Sequence, residues 1–184
     1  EQRFGVKQKE RLKELKAGVN ILTMTATPIP RTLQFALLGL RQLSVIETPP
    51  TDRRSVRTAL APYHDSLVQE VIERELHRGG QIFFLHNRVR SLPGVAHHLQ
   101  GLVPQAKIEI AHGQMNPERL EEAMVRFTEG EVDLLVCTSI IEAGLDIARA
   151  NTILIDRADH FGLTQLHQIR GRVGRRAERG YCYL

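Results

Sequence analysis

The residues best suited to chemistry are the arginines in the run Gln-Ile-Arg-Gly-Arg-Val-Gly-Arg at residues 168–175. Arg172 and Arg175 lie three positions apart, so a helical turn would direct both toward one partner. A guanidinium group stays charged and binds phosphate oxygens through two parallel hydrogen bonds. We therefore expect the pair to stabilise charge on a leaving γ-phosphate, an effect worth roughly 10³- to 10⁵-fold in rate. The alternative is a solvated basic helix end, which the glycines disfavour because glycine is a poor helix former.

A second candidate site lies at residues 137–146, with the sequence Cys-Thr-Ser-Ile-Ile-Glu-Ala-Gly-Leu-Asp. Thr138 and Ser139 can donate hydrogen bonds to a phosphate, and Asp146 can accept one from a sugar hydroxyl. An apolar run precedes the two hydroxyl residues, and ligands of parallel sheets bind where such strands end. Capping of a helix by Thr138 or Ser139, with Asp146 in solvent, explains the same residues equally well.

Two threonines also follow an apolar run, in the sequence Thr-Ala-Thr-Pro-Ile-Pro-Arg-Thr at residues 25–32. The prolines fix the direction in which the chain leaves that run. The hydroxyls of Thr25 and Thr27 could therefore sense a neighbouring phosphate site. A turn followed by a capped helix is the alternative that the spacing leaves open.

Two shorter loops carry side chains that suit a phosphate backbone. His86, Asn87 and Arg88 follow one apolar run, and His112 and Gly113 follow another. Basic and amide side chains, or a glycine that admits close approach, can meet phosphates there. Because single histidines and asparagines are common in ordinary loops, these residues only support the hypothesis of nucleic-acid binding.

Short apolar runs that alternate with helical patterns must position these residues. The predicted strands cover residues 19–24, 82–85, 108–111, 134–137 and 153–155. The predicted helices cover residues 31–38, 66–77, 92–102, 117–127 and 163–173. Such alternation predicts an α/β fold of βαβ units, in which a parallel sheet is covered by helices on both faces. The candidate residues then lie in loops at the carboxyl ends of the strands.

A stretch with paired prolines, residues 47–54, interrupts this pattern and predicts a linker between two domains. Residues 1–46 are too few for a whole domain, so we expect the closing part of one whose beginning is missing. Residues 55–184 are expected to form a second, nearly complete α/β domain. The first residue is not methionine and the last residues are apolar, which suggests a fragment of a longer protein.

Composition favours a globular protein that contacts nucleic acid through phosphates. The chain has 184 residues, of which 42% are hydrophobic, and this suffices for a packed core. Aromatic residues make up 5% and tryptophan is absent, so base stacking is disfavoured. The net charge of +4 and the pI near 9.4 agree with phosphate binding but indicate it only weakly.

Several features are absent from the sequence. Cys137 and Cys182 show no spacing typical of a metal site, and we predict no resident metal and a reduced, cytoplasmic protein. No signal peptide is present, and no apolar run reaches the ~20 residues that span a membrane. Neither a G-x-x-x-x-G-K-S/T phosphate loop nor an Asp-Glu pair for Mg²⁺ occurs, so the chain alone is expected to be a poor ATPase.

In their order along the chain, these motifs resemble those of superfamily 2 helicases and translocases, in which two RecA-like lobes close on ATP and move along nucleic acid. The resemblance implies RecA-like lobes, with ATP and Mg²⁺ as cofactors. Gln2 resembles the end of the D-E-x-H/Q motif, whose magnesium-binding and catalytic acids would lie upstream of Glu1. Thr25 and Thr27 match the motif that couples the ATP site to nucleic acid.

The resemblance also implies roles in the second lobe. Gly144 and Asp146 fall on a motif that contacts the nucleotide and are implied to bind ATP. Gln168, Arg172 and Arg175 fall on the final motif, in which both arginines meet the γ-phosphate, and are the implied catalytic residues. The implied contacts with the DNA backbone are Asn87, Arg88, His112, Gly113, Thr138 and Ser139.

Two families of bacterial double-stranded DNA translocases are especially similar at residues 25–33 and 161–168: the transcription-repair coupling factors and the fork-reversal helicases often called RecG. Residues 43–50, 110–115 and 150–155 look more like the coupling factors. That resemblance implies double-stranded DNA, stalled RNA polymerase and excision-repair proteins as partners. It also implies a protein that acts on the nucleoid in the cytoplasm.

The sequence departs from the coupling factors at two places and leaves three alternatives. Ala143 stands where the family often has threonine, and residues 148–149 replace an expected proline-containing stretch. A RecG-type helicase is one alternative. A nucleic-acid-binding module without turnover is another, although it has little need of paired γ-phosphate arginines. A small-molecule α/β enzyme would need His86, His112 and Asp146 to assemble into an acid-base site.

Overall fold

The structure, a computed structural model, describes residue 24 and residues 44–48, 55–140, 147, 149–174 and 178–184. Contacts between Cα atoms divide the chain into two units, Glu1–Thr48 and Pro49–Leu184. All the described helices and strands belong to the second unit. The strand predicted at residues 19–24, apart from its last residue, and the helix predicted at residues 31–38 lie outside the described part of the chain.

Parallel strands form the sheet of the second unit. They are β1 (Arg57–Ala59), β2 (Gln81–Leu85), β3 (Ile108–Ala111), β4 (Leu134–Cys137), β5 (Ala150–Ile155) and β6 (Tyr181–Tyr183). Their order across the sheet is β1-β6-β5-β2-β4-β3, and every pairing is parallel. The parallel sheet predicted from the alternating pattern is therefore confirmed.

Two short strands, β1 and β6, were not predicted. β1 lacks an apolar run, and no strand was assigned to the short apolar stretch at residues 181–184. β1 lies at one edge of the sheet and its first two residues are exposed, while β6 buries only its cysteine. β5 begins earlier than predicted because Asn151 and Thr152 are polar but buried. Asn151 Nδ2 bonds Glu178 at 3.3 Å and Thr152 Oγ1 bonds Glu75 at 2.7 Å. These partners satisfy Asn151 Nδ2 and the Thr152 hydroxyl, whereas Asn151 Oδ1 and Glu75 Oε1 are buried without a hydrogen-bond partner among the described residues.

The helices that connect these strands are α1 (Asp65–His77), α2 (Leu92–Leu102), α3 (Pro117–Glu129) and α4 (Leu163–Arg170). Short 3-10 turns cover Val89–Ser91 and Ala158–His160. Local sequence defines both ends of α3. Asn116 Oδ1 accepts a hydrogen bond from the backbone N–H of Glu118 at 3.1 Å, and a proline starts the helix. Gly130 ends it with a φ of 85°, in the left-handed region that favours glycine.

Hydrophobic clusters lie on both faces of the sheet. Successive side chains of a strand point to opposite faces, so in β2 Phe83 joins one cluster and Phe84 the other. Helices α3 and α4 cover the first face through residues such as Phe127 and Ile169. Helices α1 and α2 cover the second face, for example through Leu99. The prediction of helices on both faces is thus confirmed, and the loops at the strand ends rest on a rigid core.

Candidate functional site

Backbone hydrogen bonds align the loops at the carboxyl ends of four neighbouring strands. The N–H of Thr138, just after β4, donates to the last carbonyl of β3 at 3.4 Å. The N–H of His86, just after β2, donates to the last carbonyl of β4 at 2.9 Å. The N–H of Asp156, just after β5, donates to the last carbonyl of β2, also at 2.9 Å. The loops after β3, β4, β2 and β5 therefore lie side by side, and we call this row the carboxyl edge.

The loop between β2 and α2 is fixed by a histidine that bonds two other side chains. His86 Nδ1 lies 2.6 Å from Asp156 Oδ2, and His86 Nε2 lies 2.7 Å from Ser91 Oγ. The Ser91 hydroxyl also donates to the backbone carbonyl of Arg88 at 3.2 Å, which closes the loop. We call His86, Asp156 and Ser91 the His86 relay. Asn87 and Arg88 sit in the loop that it holds, and both are exposed.

The loop between β3 and α3 places two more predicted residues at the carboxyl edge. His112 is half-buried and its carbonyl accepts a hydrogen bond from the N–H of Met115 at 3.1 Å. The buried Nδ1 of His112 has no hydrogen-bond partner among the described residues. Gly113 is exposed, and a Cβ added to it would lie 3.6 Å from Ile140, an ordinary contact. The packing of the described residues thus does not itself require a glycine at position 113.

An open groove of about 850 Å³ runs along β3 between α2 and α3, and His112 is one of its lining residues. The polar groups of this groove include Glu109 and Arg126, which bond each other at 2.5 Å. Arg126 also contacts Glu131 at 3.3 Å. Because two carboxylates already neutralise Arg126, its guanidinium is only weakly available to an anion in the groove.

The chain leaving β4 carries the predicted hydroxyl residues. Thr138 and Ser139 are half-buried at the carboxyl edge, next to the loop of His86. Gly144 and Asp146, the implied contacts with the nucleotide, lie outside the described residues. The same is true of Gln2, Thr25 and Thr27, the implied coupling residues. The roles given to these five positions stay predictions.

The arginine run begins in α4 but leaves the helix earlier than predicted. α4 ends at Arg170, not at residue 173 as the apolar pattern suggested. Arg172 follows in a turn, in which its backbone N–H donates to the carbonyl of Ile169 at 2.9 Å. Gln168 and Arg172 are half-buried. The predicted end of the helix is therefore wrong by three residues. Arg175 lies outside the described residues, so the shared direction of Arg172 and Arg175 stays a prediction.

Two glycines make a close backbone contact beyond the end of α4. Gly174 has a φ of 68°, and a Cβ on Gly180 would lie 2.8 Å from the Gly174 Cα. The glycines of this run were expected to disfavour a solvated basic helix end. In the structure, the backbone of Gly174 closely approaches Gly180, just before β6. Because no local pattern pairs these two glycines, only the fold reveals this contact.

Sequence reasoning missed Arg157, which lies at the carboxyl edge just after Asp156. Arg157 is the only non-glycine residue with positive φ in the described part, at 55°. Its Nε and Nη2 each donate to Asp159 at 3.0 Å, and Nη2 lies 2.9 Å from His160. The hydrogen bond to Asp159 raises the pKa of the Arg157 guanidinium. The same bond lowers the pKa of the Asp159 carboxyl. The signal in the sequence was a charged Asp-Arg-Ala-Asp-His stretch directly after an apolar run.

The carboxyl edge suits phosphate groups better than a metal ion. Its acids Asp156 and Asp159 are bonded to His86 and Arg157 respectively. Within the described residues no group of three His, Cys, Asp or Glu side chains could hold a metal ion.

Burial raises the pKa of Cys182 to about 11, so its thiol stays protonated near neutral pH. Among the described helices none is long and apolar enough to cross a membrane.

The fold and its edge loops agree with comparisons to known proteins. Residues 64–177 match the model of the family described as Helicase conserved C-terminal domain, and the chain belongs to that family. Over all its 184 residues, it is 58% identical to the transcription-repair-coupling factor of Myxococcus xanthus and 54% identical to that of Staphylococcus haemolyticus. It spans only 15% and 16% of the length of these two relatives.

A solved structure described as RecG bound to a three-way DNA junction is also similar. Its TM-score is 0.71 at 39% identity, and the match covers 86% of this chain and 22% of that one. The RecA-like fold implied by the sequence motifs is therefore confirmed. So is the resemblance to transcription-repair-coupling factors, with RecG as a near relative.

Proposed function

We propose that the chain is part of the motor of an ATP-dependent double-stranded DNA translocase of the coupling-factor kind. In this proposal residues 55–184 form most of the second motor lobe, residues 47–54 are the linker, and residues 1–46 close the first lobe. The observation that carries the proposal is the carboxyl edge, where one row of loops gathers the candidate DNA contacts. Identity to coupling factors along the whole chain supports it.

The proposed DNA contacts lie on three neighbouring loops of that edge. Asn87 and Arg88 are exposed on the loop after β2, and Gly113 is exposed after β3. Thr138 and Ser139 follow β4, which lies between those two strands. Neighbouring strands are ~4.8 Å apart, so the three loops span roughly 10 Å and can follow a phosphate backbone. Contacts of this kind do not depend on base sequence, which a motor needs because it must release and rebind DNA at every step.

The proposed ATP contacts come from the end of α4 and from the chain after β4. Arg172 and Arg175, with Gln168, would stabilise the γ-phosphate of an ATP whose other phosphates are held outside this chain. Gly144 and Asp146 would hold the nucleotide, with Asp146 on the sugar. Bound Mg²⁺ would supply charge neutralisation at the phosphates, through acids outside this chain.

The remaining roles follow from the same proposal. Gln2, Thr25 and Thr27 would couple the ATP site to DNA. The names of the relatives indicate that they link transcription to repair. We therefore propose stalled RNA polymerase and excision-repair proteins as partners of the full-length protein, which would act on DNA in the cytoplasm.

DNA binding at the carboxyl edge is tested with Arg88→Ala in the full-length protein. We expect weaker binding to duplexes of every sequence, and a slope of log affinity against log salt that falls by about one. Arg126→Ala is the matched control, since Arg126 is also exposed but lies in the last turn of α3, at the other end of the sheet. An Arg88→Ala protein with normal affinity and normal salt dependence would exclude Arg88 from the interface.

A RecG-type fork-reversal helicase is the second candidate, and the 39% identity to RecG favours it. Identity to the coupling factors is higher and extends over the whole chain. The two candidates predict different activities for the full-length protein. Displacement of a stalled RNA polymerase without fork reversal supports the first, and fork reversal without displacement supports the second.

A further inference from the structure

The His86 relay joins two loops to which the proposed function gives separate tasks. One loop carries Asn87 and Arg88, the proposed contacts with DNA. The other begins at Asp156 and leads through residues 157–162 into α4, which delivers Arg172. His86 holds both loops, because one ring nitrogen bonds Asp156 at 2.6 Å and the other bonds Ser91 at 2.7 Å.

Burial protects the hydrogen bonds of the His86 relay from competition by water. The side chains of His86 and Asp156 are only 14% and 21% exposed. Asp156 is held twice, since its backbone N–H also donates to the last carbonyl of β2. A movement of the DNA-contacting loop must therefore either move Asp156 or break the bond between His86 and Asp156.

A shift at Asp156 has a short and rigid route to the arginine run. Helix α4 is only eight residues long, or ~12 Å at 1.5 Å per residue. Ile169, near its end, is fully buried in the core. A packed helix moves as one body, so its displacement is passed to Arg172 in the next turn.

We infer that His86, Asp156 and Ser91 are positioning residues that couple DNA contact at Asn87 and Arg88 to the placement of Arg172. The inference rests on the proposed function. The relay itself touches neither nucleotide nor reacting atoms. Its role is to make the two loops change position together, so that bound DNA brings the arginine into place.

A matched histidine-aspartate pair elsewhere in the same unit provides the control. His98 Nε2 in α2 lies 2.9 Å from Asp65 Oδ1 in α1, and these side chains are 50% and 49% exposed. This pair joins two helices on one face of the sheet and contains none of the relay residues. Substitutions of His98 and Asp65 remove the same chemical groups as the relay variants, but they leave the two loops joined.

The experiment compares Asp156→Asn and His86→Ala with Asp65→Asn and His98→Ala in the full-length protein. ATP turnover is measured with and without a linear DNA duplex, and the ratio of the two rates is scored. We expect the ratio to fall about tenfold in the relay variants, within the range usual for coupled sites, and to stay unchanged in the controls. The double variant should lose no more than His86→Ala alone, because His86→Ala already removes the bond with Asp156.

Two outcomes would overturn the inference. One is an unchanged ratio in the relay variants. The other is a proportional fall of both rates together with a lower melting temperature, which would mean that the relay only stabilises the fold. Arg88→Ala and Arg172→Ala are measured alongside. If Arg88→Ala binds DNA normally and Arg172→Ala hydrolyses ATP at the normal rate, the proposed function itself has failed. If only the relay variants behave normally, the function stands and the coupling role falls.

Discussion

At the scale of single residues, the carboxyl edge is organised by side chains that are distant in sequence. His86 and Asp156 are 70 positions apart, yet their bond is among the shortest between side chains in the described structure. A bonded carboxylate is less available to a cation, so Asp156 acts as an anchor for the loop and not as a metal ligand. The exposed residues beside it are then free to meet a ligand in a fixed arrangement.

Arg157 shows strain at a single residue of this edge. A non-glycine residue in the left-handed region costs about 1–2 kcal/mol, and a β-branched one costs more. We therefore expect the free energy of unfolding of Arg157→Val to be at least about 1 kcal/mol lower than that of Arg157→Gly. Urea denaturation measures both values. Both variants lose the same exposed ion pair with Asp159, so that contact cancels in the comparison. Equal stability of the two variants would show that the backbone at this position is unstrained.

At the scale of elements, apolar runs and helical periodicity predicted the central strands and the four described helices of the second unit. Those patterns work because both faces of the sheet are buried. They failed where burial is incomplete or polar. β1 is exposed at the edge, and the start of β5 buries Asn151 and Thr152 against Glu178 and Glu75, contacts that no local pattern encodes.

The contact between Gly174 and Gly180 joins the chain after α4 to the start of β6, and it can be tested by mutation. A Cβ on Gly180 would lie 2.8 Å from the Cα and 2.9 Å from the N of Gly174, and backbone cannot give way cheaply. We expect Gly180→Ala to lower the free energy of unfolding by about 1–3 kcal/mol in thermal denaturation.

Gly101→Ala is the control for that substitution. Gly101 lies in α2 and a Cβ there meets nothing within 4 Å. Alanine should stabilise the helix by about 0.5–1 kcal/mol relative to glycine. If Gly180→Ala were as stable as Gly101→Ala, the close approach of Gly174 and Gly180 would not exist.

At the scale of the whole molecule, the chain represents about 15% of the coupling factors that it resembles. The lobe carries an edge suited to DNA phosphates and the start of an arginine run, while the phosphate loop is absent from its sequence. The ordered motifs of the sequence predicted the family and the RecA-like fold, which the comparisons confirm. The sequence could not predict the His86 relay or the strained Arg157, because both depend on which loops the sheet order brings together.

The account depends most directly on the arginines of that run. In the full-length protein with Arg175→Ala, DNA-stimulated ATP hydrolysis and nucleotide binding should be measured separately, with Arg126→Ala as the control. We predict that hydrolysis falls roughly 10³-fold or more, because the γ-phosphate loses an arginine that stabilises its developing charge. Nucleotide binding should fall far less, since most phosphate contacts come from outside this chain. Unchanged hydrolysis in the Arg175→Ala protein would contradict the account.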